Sequence, residues 1–498
     1  MTVPDSIGKI FIYIRHSRKV IMIAIRKILA ICLAACLYFP SSLSAKVKLP
    51  ALFADGMVLQ QQANARIWGW AKNGADIRIS SSWNRKTYTA KADDKGNWSI
   101  KITTPEAGGP YSISIADGET VTINNILIGE VWLCSGQSNM EMGMKGFKDQ
   151  PIIGSNDAIF NSTNDQLRIY TVPRAVERQA KDTSKTSSWK TANPENISNF
   201  SATAYYFGRL LQQQLKVPVA LINASYSGSP AEAFMSAESL KAFPEIAVPS
   251  VTGTEKLNNK NATTLYNGMI HPITGYTIKG CIWYQGESNY DRPDQYEKLF
   301  PAMVQLWRNE WEQGNFPFYF AQIAPFNYIY AGVTKTEKLN SAYLRDAQRR
   351  SLAAIPGGNM IVLMDNGEEK SIHPANKEIV GKRFAYLALG DSYNVKGFAY
   401  QSPLYDSLLI TGNVATIKFR NTPNGLTSFG KPITQFEIAG ADKIFYPAQA
   451  VILKGNIQLS SPQVATPVAV RYAFKDFVVG ELFSTEGYPA SSFRTDDW

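Results

Sequence analysis

At 498 residues, with 45% apolar and 18% charged residues, the chain has the composition of a globular protein with enough core material for two or three domains. Its formal charge of +10 overstates its basic character, because six of the 51 Lys/Arg and one of the 41 acids fall in residues 1–45, leaving net +5 for the rest. No dense basic run interleaved with aromatics occurs, which speaks against nucleic-acid binding, and the His, Cys and acidic residues show no metal-ligand spacing.

In chain order, residues 1–45 read as a signal region, with Met22 a candidate true start. Arg26 and Lys27 precede the apolar run Ile28 to Phe39, and Ser41-Ser42-Leu43-Ser44-Ala45 offers small residues for cleavage. Export to the periplasm or beyond is therefore expected. Leu33-Ala34-Ala35-Cys36 resembles a lipoprotein box, but the apolar Leu37-Tyr38-Phe39 behind it is unusual for a lipid-modified start. Membrane contact is expected only if Cys36 is lipidated. No later stretch is long and apolar enough to span a bilayer. Cys134 and Cys281 sit in apolar strand-like runs and read as buried free thiols, with a disulfide as the open alternative in an oxidising compartment.

Residues 46–128 alternate apolar and polar residues in short runs (Arg66 to Trp70, Ile77 to Ser80, Tyr111 to Ile115). Asn73-Gly74 and Asp117-Gly118 supply turns, so a small β-sandwich is expected. Trp68, Trp70, Trp83 and Trp98 read first as its core, with stacking on sugar as the lesser alternative. Residues 129–390 alternate strand-like and helical runs, the pattern of an α/β/α layered domain with a parallel sheet. Strands are expected near Val217 to Asn223, Ile278 to Tyr284 and Met360 to Met364. Helices are expected near Thr203 to Leu215, Tyr296 to Trp311 and Ala342 to Ala354. Residues 391–498 return to alternation and suggest a second β module.

Gly136-Gln137-Ser138-Asn139-Met140 follows the apolar run Glu130 to Cys134, which places Ser138 at the carboxyl end of a buried strand, where open α/β sheets bind ligands. Serine is a weak nucleophile alone and needs a base. Of three histidines, His16 lies in the signal region. His271 and His373 remain, and either alone could be structural. His373 precedes a helix-like stretch, 374–390, with Val380, Phe384, Leu387 and Ala388 on one face, Pro374 near its entry and Gly390 suited to cap its end. That mount suits a general base.

Four segments follow in order: Ser138, then Asn223-Ala224-Ser225-Tyr226-Ser227-Gly228, then Trp283-Tyr284-Gln285-Gly286-Glu287-Ser288-Asn289, then Ile372-His373-Pro374. This order resembles the SGNH hydrolases, and the words themselves resemble the sialate O-acetylesterase family. So do Leu265 to Pro272 and the ending Phe493-Arg494-Thr495-Asp496-Asp497-Trp498. The resemblance implies Ser138 as nucleophile and His373 as base. It also implies an oxyanion hole from the Ser138 and Gly228 N–H groups and the Gln285 amide. Asn139 and Glu287 read as supporting or substrate-lining residues, support being preferred for Glu287, and no metal or organic cofactor is implied. His271 is expected in a pocket but not as the base. The rival α/β-hydrolase elbow fails because Met140 stands where it needs glycine.

One departure from the SGNH pattern concerns the orienting acid. Lys370 occupies the position, three residues before the histidine, where an aspartate is usual, so the third member stays open between Glu368, Glu369, a backbone carbonyl and a distant acid. The activity implied is a secreted carbohydrate esterase that removes O-acetyl groups, foremost from sialic acid. The alternatives are an acetylxylan or other glycan acetylesterase of the same fold and, in another class, a non-catalytic glycan-binding protein.

Overall fold

The computed structural model describes residues 18–27, 46–333 and 340–498. The segment 28–45, with its cleavage site and Cys36, and the middle of the 327–340 loop lie outside the described residues. Residues 18–27 form a short helix of exposed side chains, and Val47–Trp498 form a unit of their own.

The first part of that unit consists of short strands: β1 (Val58–Gln60), β2 (Asn64–Trp70), β3 (Asp76–Ser81), β4 (Thr87–Lys91), β5 (Asn97–Thr103) and β6 (Gly108–Ala116). In β2, Ala65 and Ile67 turn inward while Arg66, Trp68 and Trp70 stay half-buried on the other face, as a period of two requires. β2 pairs with β5 along its whole length. Strand β7 (Thr120–Gly136) then runs for 17 residues. Its first half pairs with β6, and from Glu130 onward it lies beside β10 (Val219–Ser225). The boundary expected between 128 and 129 therefore falls inside one continuous strand. The sequence shows only a change of pattern there, because the strand passes from a half-exposed to a fully buried setting.

Past that point the expected α/β/α architecture is present. The sheet order is β13-β12-β11-β7-β10-β8-β9, with β8 (Asn164–Thr171), β9 (Lys190–Ala192), β11 (Gly280–Tyr284), β12 (Phe318–Ala321) and β13 (Gly358–Ile361). All neighbours are parallel except β9 at the edge. The central strands are buried on both sides, so their sequences are continuous apolar runs rather than alternating ones. Cys281 and Trp283 enter the layer that holds α2 (Pro293–Trp311), whereas Ile282 and Tyr284 enter the layer of α1 (Ala202–Leu215) and α4 (Lys377–Asp391). Cys134 and Cys281 fall into opposite layers as free, buried thiols.

Two expectations for the last helix change. It begins at Lys377, capped by the Asn376 side chain, and Gly390 lies inside its final turn rather than at the cap. Tyr400 packs where a Gly390 Cβ would stand, 2.2 Å from its ring, so the glycine makes room for an aromatic. The apolar stripe also understates the burial, since most of α4 is enclosed.

Residues 404–494 form two four-stranded antiparallel sheets and a two-stranded one, in keeping with a β-sandwich-like module. The module docks on α3 (Ala342–Ser351) through Arg345, which is fully buried. Its guanidinium donates to Ser341 Oγ, Ser492 Oγ and the carbonyls of Ala473, Lys475 and Asp476. In the terminal motif, Asp496 takes both oxygens to Arg471, at 2.9 and 2.6 Å.

Candidate active site

Ser138 opens a single helical turn, Ser138–Glu141, directly beyond the end of β7. The turn is set by Gly136, whose φ is +138°, and a Cβ there would meet Tyr284 O at 2.1 Å. Only glycine lets β7 and β11 close at this point. Gln137 fastens the same junction: its N–H donates to Tyr284 O and its Oε1 accepts from Ser288 N–H at 3.1 Å. Ser138 is 4% exposed, and its Oγ makes no hydrogen bond to the described residues.

His373 lies on the loop ahead of α4, half-buried, with the Phe147 ring edge-on at 5.4 Å. The tie between the two residues is Asn139. Its Nδ2 donates to Ile372 O at 3.0 Å, so the residue after Ser138 is bonded to the residue before His373. The same amide donates to Glu287 Oε1 at 2.5 Å, its Oδ1 accepts from Lys377 Nζ, and its backbone carbonyl accepts from Thr203 Oγ1 at 3.0 Å. Asn139 is fully buried and every side-chain valence is taken, which places it as a clamp between loops. Glu287 joins that clamp from the short helical turn Glu287–Asn289 that follows β11.

Neither glutamate carboxylate is hydrogen-bonded to His373: Glu368 Oε1 accepts from Ala375 N–H at 2.6 Å, and Glu369 makes no side-chain bond to the ring. The Lys370 ammonium stands 5.7 Å from the Tyr330 ring centre. The group on His373 Nδ1 is Gln150 Oε1, at 2.5 Å. An amide oxygen accepts, so Nδ1 carries the proton and Nε2 is left as the basic nitrogen. Gln150 comes from the 143–165 loop and carries no motif that would have marked it.

Lys377 is the other residue that sequence left unread, since a lysine in the first helical turn normally reads as solvated. Here it is fully buried, and burial lowers its pKa to about 7. Burial, with the Lys377 charge as the second cause, lowers His373 to about 4, so the imidazole is neutral at ordinary pH. Burial raises the Glu287 carboxyl, and its Oε2 has no partner among the described residues.

The oxyanion assignments divide. Gly228 has φ +71°, and a Cβ there would meet only Asn259 Nδ2 at 3.9 Å. Left-handed backbone, not crowding, is what favours glycine. Its N–H donates to no described acceptor, and neither does that of Ser138. Asn259 steadies this loop by donating to Ser227 O and Ser229 Oγ. Gln285 must be corrected. It is fully buried, its Nε2 donates to Asn289 Oδ1 at 2.7 Å and Ser229 O at 3.3 Å, and its Oε1 accepts from Tyr296. With both amide protons engaged, Gln285 braces the Gly228 loop from below instead of facing a substrate.

A cavity of about 530 Å³ opens beside His373, walled by Lys148, Gln150, Phe326, Tyr330, Glu368 and Lys370. His271 is elsewhere, its Nδ1 on Lys181 O at 3.0 Å and its ring in a separate cleft against the first β module. Among the described residues no group of His, Cys, Asp and Glu side chains could hold a metal ion.

The family model described as carbohydrate esterase, sialic acid-specific acetylesterase, matches residues 128–385. Over 427 residues the chain is 30% identical to the sialate O-acetylesterase of Pongo abelii, an alignment covering 78% of this chain and 79% of that protein. The chain belongs to the sialic acid-specific acetylesterase family. The sialate O-acetylesterase of Homo sapiens is 29% identical over the same shares. Among solved structures, a carbohydrate acetylesterase from Xanthomonas citri superposes with a TM-score of 0.81 at 35% identity, covering 91% of this chain and all of that one. As a member of this acetylesterase family the chain is a carboxylic ester hydrolase acting on acetylated sugars.

Proposed function

We propose that the protein is an exported O-acetylesterase that deacetylates sialic acids through an acetyl-Ser138 intermediate. The observation that carries the mechanism is the Asn139 clamp, which bonds the Ser138 turn to the His373 loop. In this reading His373 Nε2 takes the Ser138 proton as Oγ attacks the acetyl carbon. The N–H groups of Ser138 and Gly228 hold the oxyanion, each donor lowering the barrier by roughly 3 kcal/mol. Collapse expels the sugar oxygen, which takes the proton from the imidazolium. A water, deprotonated by the same nitrogen, then attacks the acyl carbon and releases acetate and free serine. Lys148 and Lys370 in the cavity wall are matched in number by Asp149 and Glu368, so the sialic acid reading rests on the family match and not on the charge of this wall. The Arg26-Lys27 pair and the apolar run behind it support export.

The test is acetate release from 9-O-acetylated sialic acid beside acetylated xylo-oligosaccharide, with Ser138→Ala as control. Serine-dependent turnover that favours the sialic acid is expected, with a loss of about ten-thousandfold in the variant. Preference for the xylan would overturn the substrate and keep the chemistry. Full activity in Ser138→Ala would sink the nucleophile.

A further inference from the structure

A second site lies at the far end of the sheet. The cleft that contains His271 has a volume of about 600 Å³ and is larger than the cavity at His373. Its floor is the β2–β5 ribbon. Arg66, Trp68 and Trp70 point to one face of β2, and their cross-strand partners Lys101, Ser99 and Asn97 share that face. The two indoles follow each other about 7 Å apart along the strand. The opposite wall comes from His271 and Thr274, ahead of β11, and from Asn309, Glu310 and Glu312, at the end of α2 and ahead of β12. These segments lead into the amino ends of parallel strands, whereas Ser138 stands beyond their carboxyl ends.

Two features set this cleft apart from an ordinary groove between layers. The first is a pair of half-buried indoles, Trp68 and Trp70, side by side on one face of β2. Trp83, Trp132, Trp189, Trp307 and Trp311 each donate their Nε1–H to a protein acceptor, while Trp283 Nε1, outside this cleft, is buried without one. Trp98, between Asn97 and Ser99, turns to the opposite face of the ribbon and into the core, whereas Trp68 and Trp70, both half-buried in this wall, make no such bond to the described residues. Buried or half-buried indoles normally find one. The second is charge. Asp93, Asp182, Glu310 and Glu312 face Arg66 and Lys91, and Arg66 is already 3.6 Å from Glu312. The remaining excess of carboxylates repels anions.

We infer that this cleft is a carbohydrate-binding subsite for uncharged glycan chains, independent of the Ser138 chemistry. Aromatic faces at strand spacing receive the apolar faces of successive sugar rings. Asn97, Ser99, Thr274 and Asn309 each make one protein hydrogen-bonding connection and offer the remaining donor or acceptor to the hydroxyls, and the carboxylates exclude sialic and uronic acids. The site would hold the neutral part of a glycan while esters elsewhere on it are cleaved.

The test is calorimetric titration of the full chain with xylohexaose, cellohexaose and maltohexaose, and with α2,8-linked trisialic acid as the anionic control. At least one neutral hexaose is expected to bind, Trp70→Ala to weaken it tenfold or more, and trisialic acid to give no heat. Hydrolysis of 4-nitrophenyl acetate by Trp70→Ala should match the parent, which shows that the variant is folded. If it is not, Asn97→Ala at the rim replaces it, with a severalfold loss expected. No binding of any neutral hexaose at 10 mM would overturn the proposal, as would equal binding by parent and folded variant, or equal binding of trisialic acid.

Discussion

Arg345 and Lys377 are both fully buried cations close to the first turn of a helix, and they are used in opposite ways. Arg345 bonds five protein oxygens, nearly all from the C-terminal module, and its pKa, lowered by burial to about 10, leaves it protonated at neutral pH. Lys377 has the Asn139 amide oxygen as its acceptor, faces Glu287 and Glu368, and titrates near 7. A saturated cation holds two parts of a fold together. An undersaturated one beside a base adds to the lowering of that base's proton affinity that burial begins. Which group surrounds a buried charge, more than the burial itself, decides whether it serves stability or chemistry.

Arg345→Ala tests the first half of the comparison and should have the largest effect. It leaves several buried carbonyls and hydroxyls without a donor, for an expected loss of roughly 3–5 kcal/mol in denaturant unfolding. Lys377→Met should leave the melting temperature unchanged or higher. If the two variants exchange these outcomes, the distinction fails.

Gln150→Ala sharpens the reading of the base. Without an acceptor on Nδ1 the imidazole loses its tautomer and aim, and kcat should fall about ten- to a hundredfold with little change in KM. Gln150→Glu should retain activity and move the acid limb of the kcat/KM profile upward, because a carboxylate favours imidazolium.

The pH profile itself tests the role of Lys377. Since the neutral imidazole is the competent base, activity should hold down to the His373 pKa and fall as pH drops through about 4. Lys377→Met should move that limb only part of the way toward the ordinary value near ~6.5, because burial is the larger cause of the shift. The same depression implies that the His373 contribution to stability is full above ~6.5 and is lost as pH falls from there toward 4. An acid limb unmoved in Lys377→Met would remove the lysine from the account. The smallest effect is expected for Gly228→Ala, about 1 kcal/mol of backbone strain at φ +71°, read as a modest drop in melting temperature.

The layered fold, the turn of Ser138 beyond a buried strand and the loop of His373 ahead of a helix were legible because each rests on a local signal: an apolar strand followed by a turn motif, or a helix preceded by a proline. Gln150 was not, since a glutamine in a loop acquires its role only when the chain brings it 223 residues along the sequence to His373. Lys377 was hidden by its residue type. The charge in its first-turn position suggests solvent, and only the converging Asn139 and Glu287 make burial tolerable. Gln285 was misread for a related reason. Its motif places it at a strand end beside the substrate loop, but Asn289 and Ser229 engage its amide first.

Strand β7 carries a last consequence. Because one unbroken 17-residue segment belongs both to the amino-terminal β layer and to the middle of the parallel sheet, the two cannot be exchanged like cartridges between homologues. Heat or denaturant should melt them in a single step, with no stage at which the leading β layer is lost and the serine turn persists. A graft made at residue 128 would cut through the ladder that aims Ser138, so recombination should place its seams elsewhere.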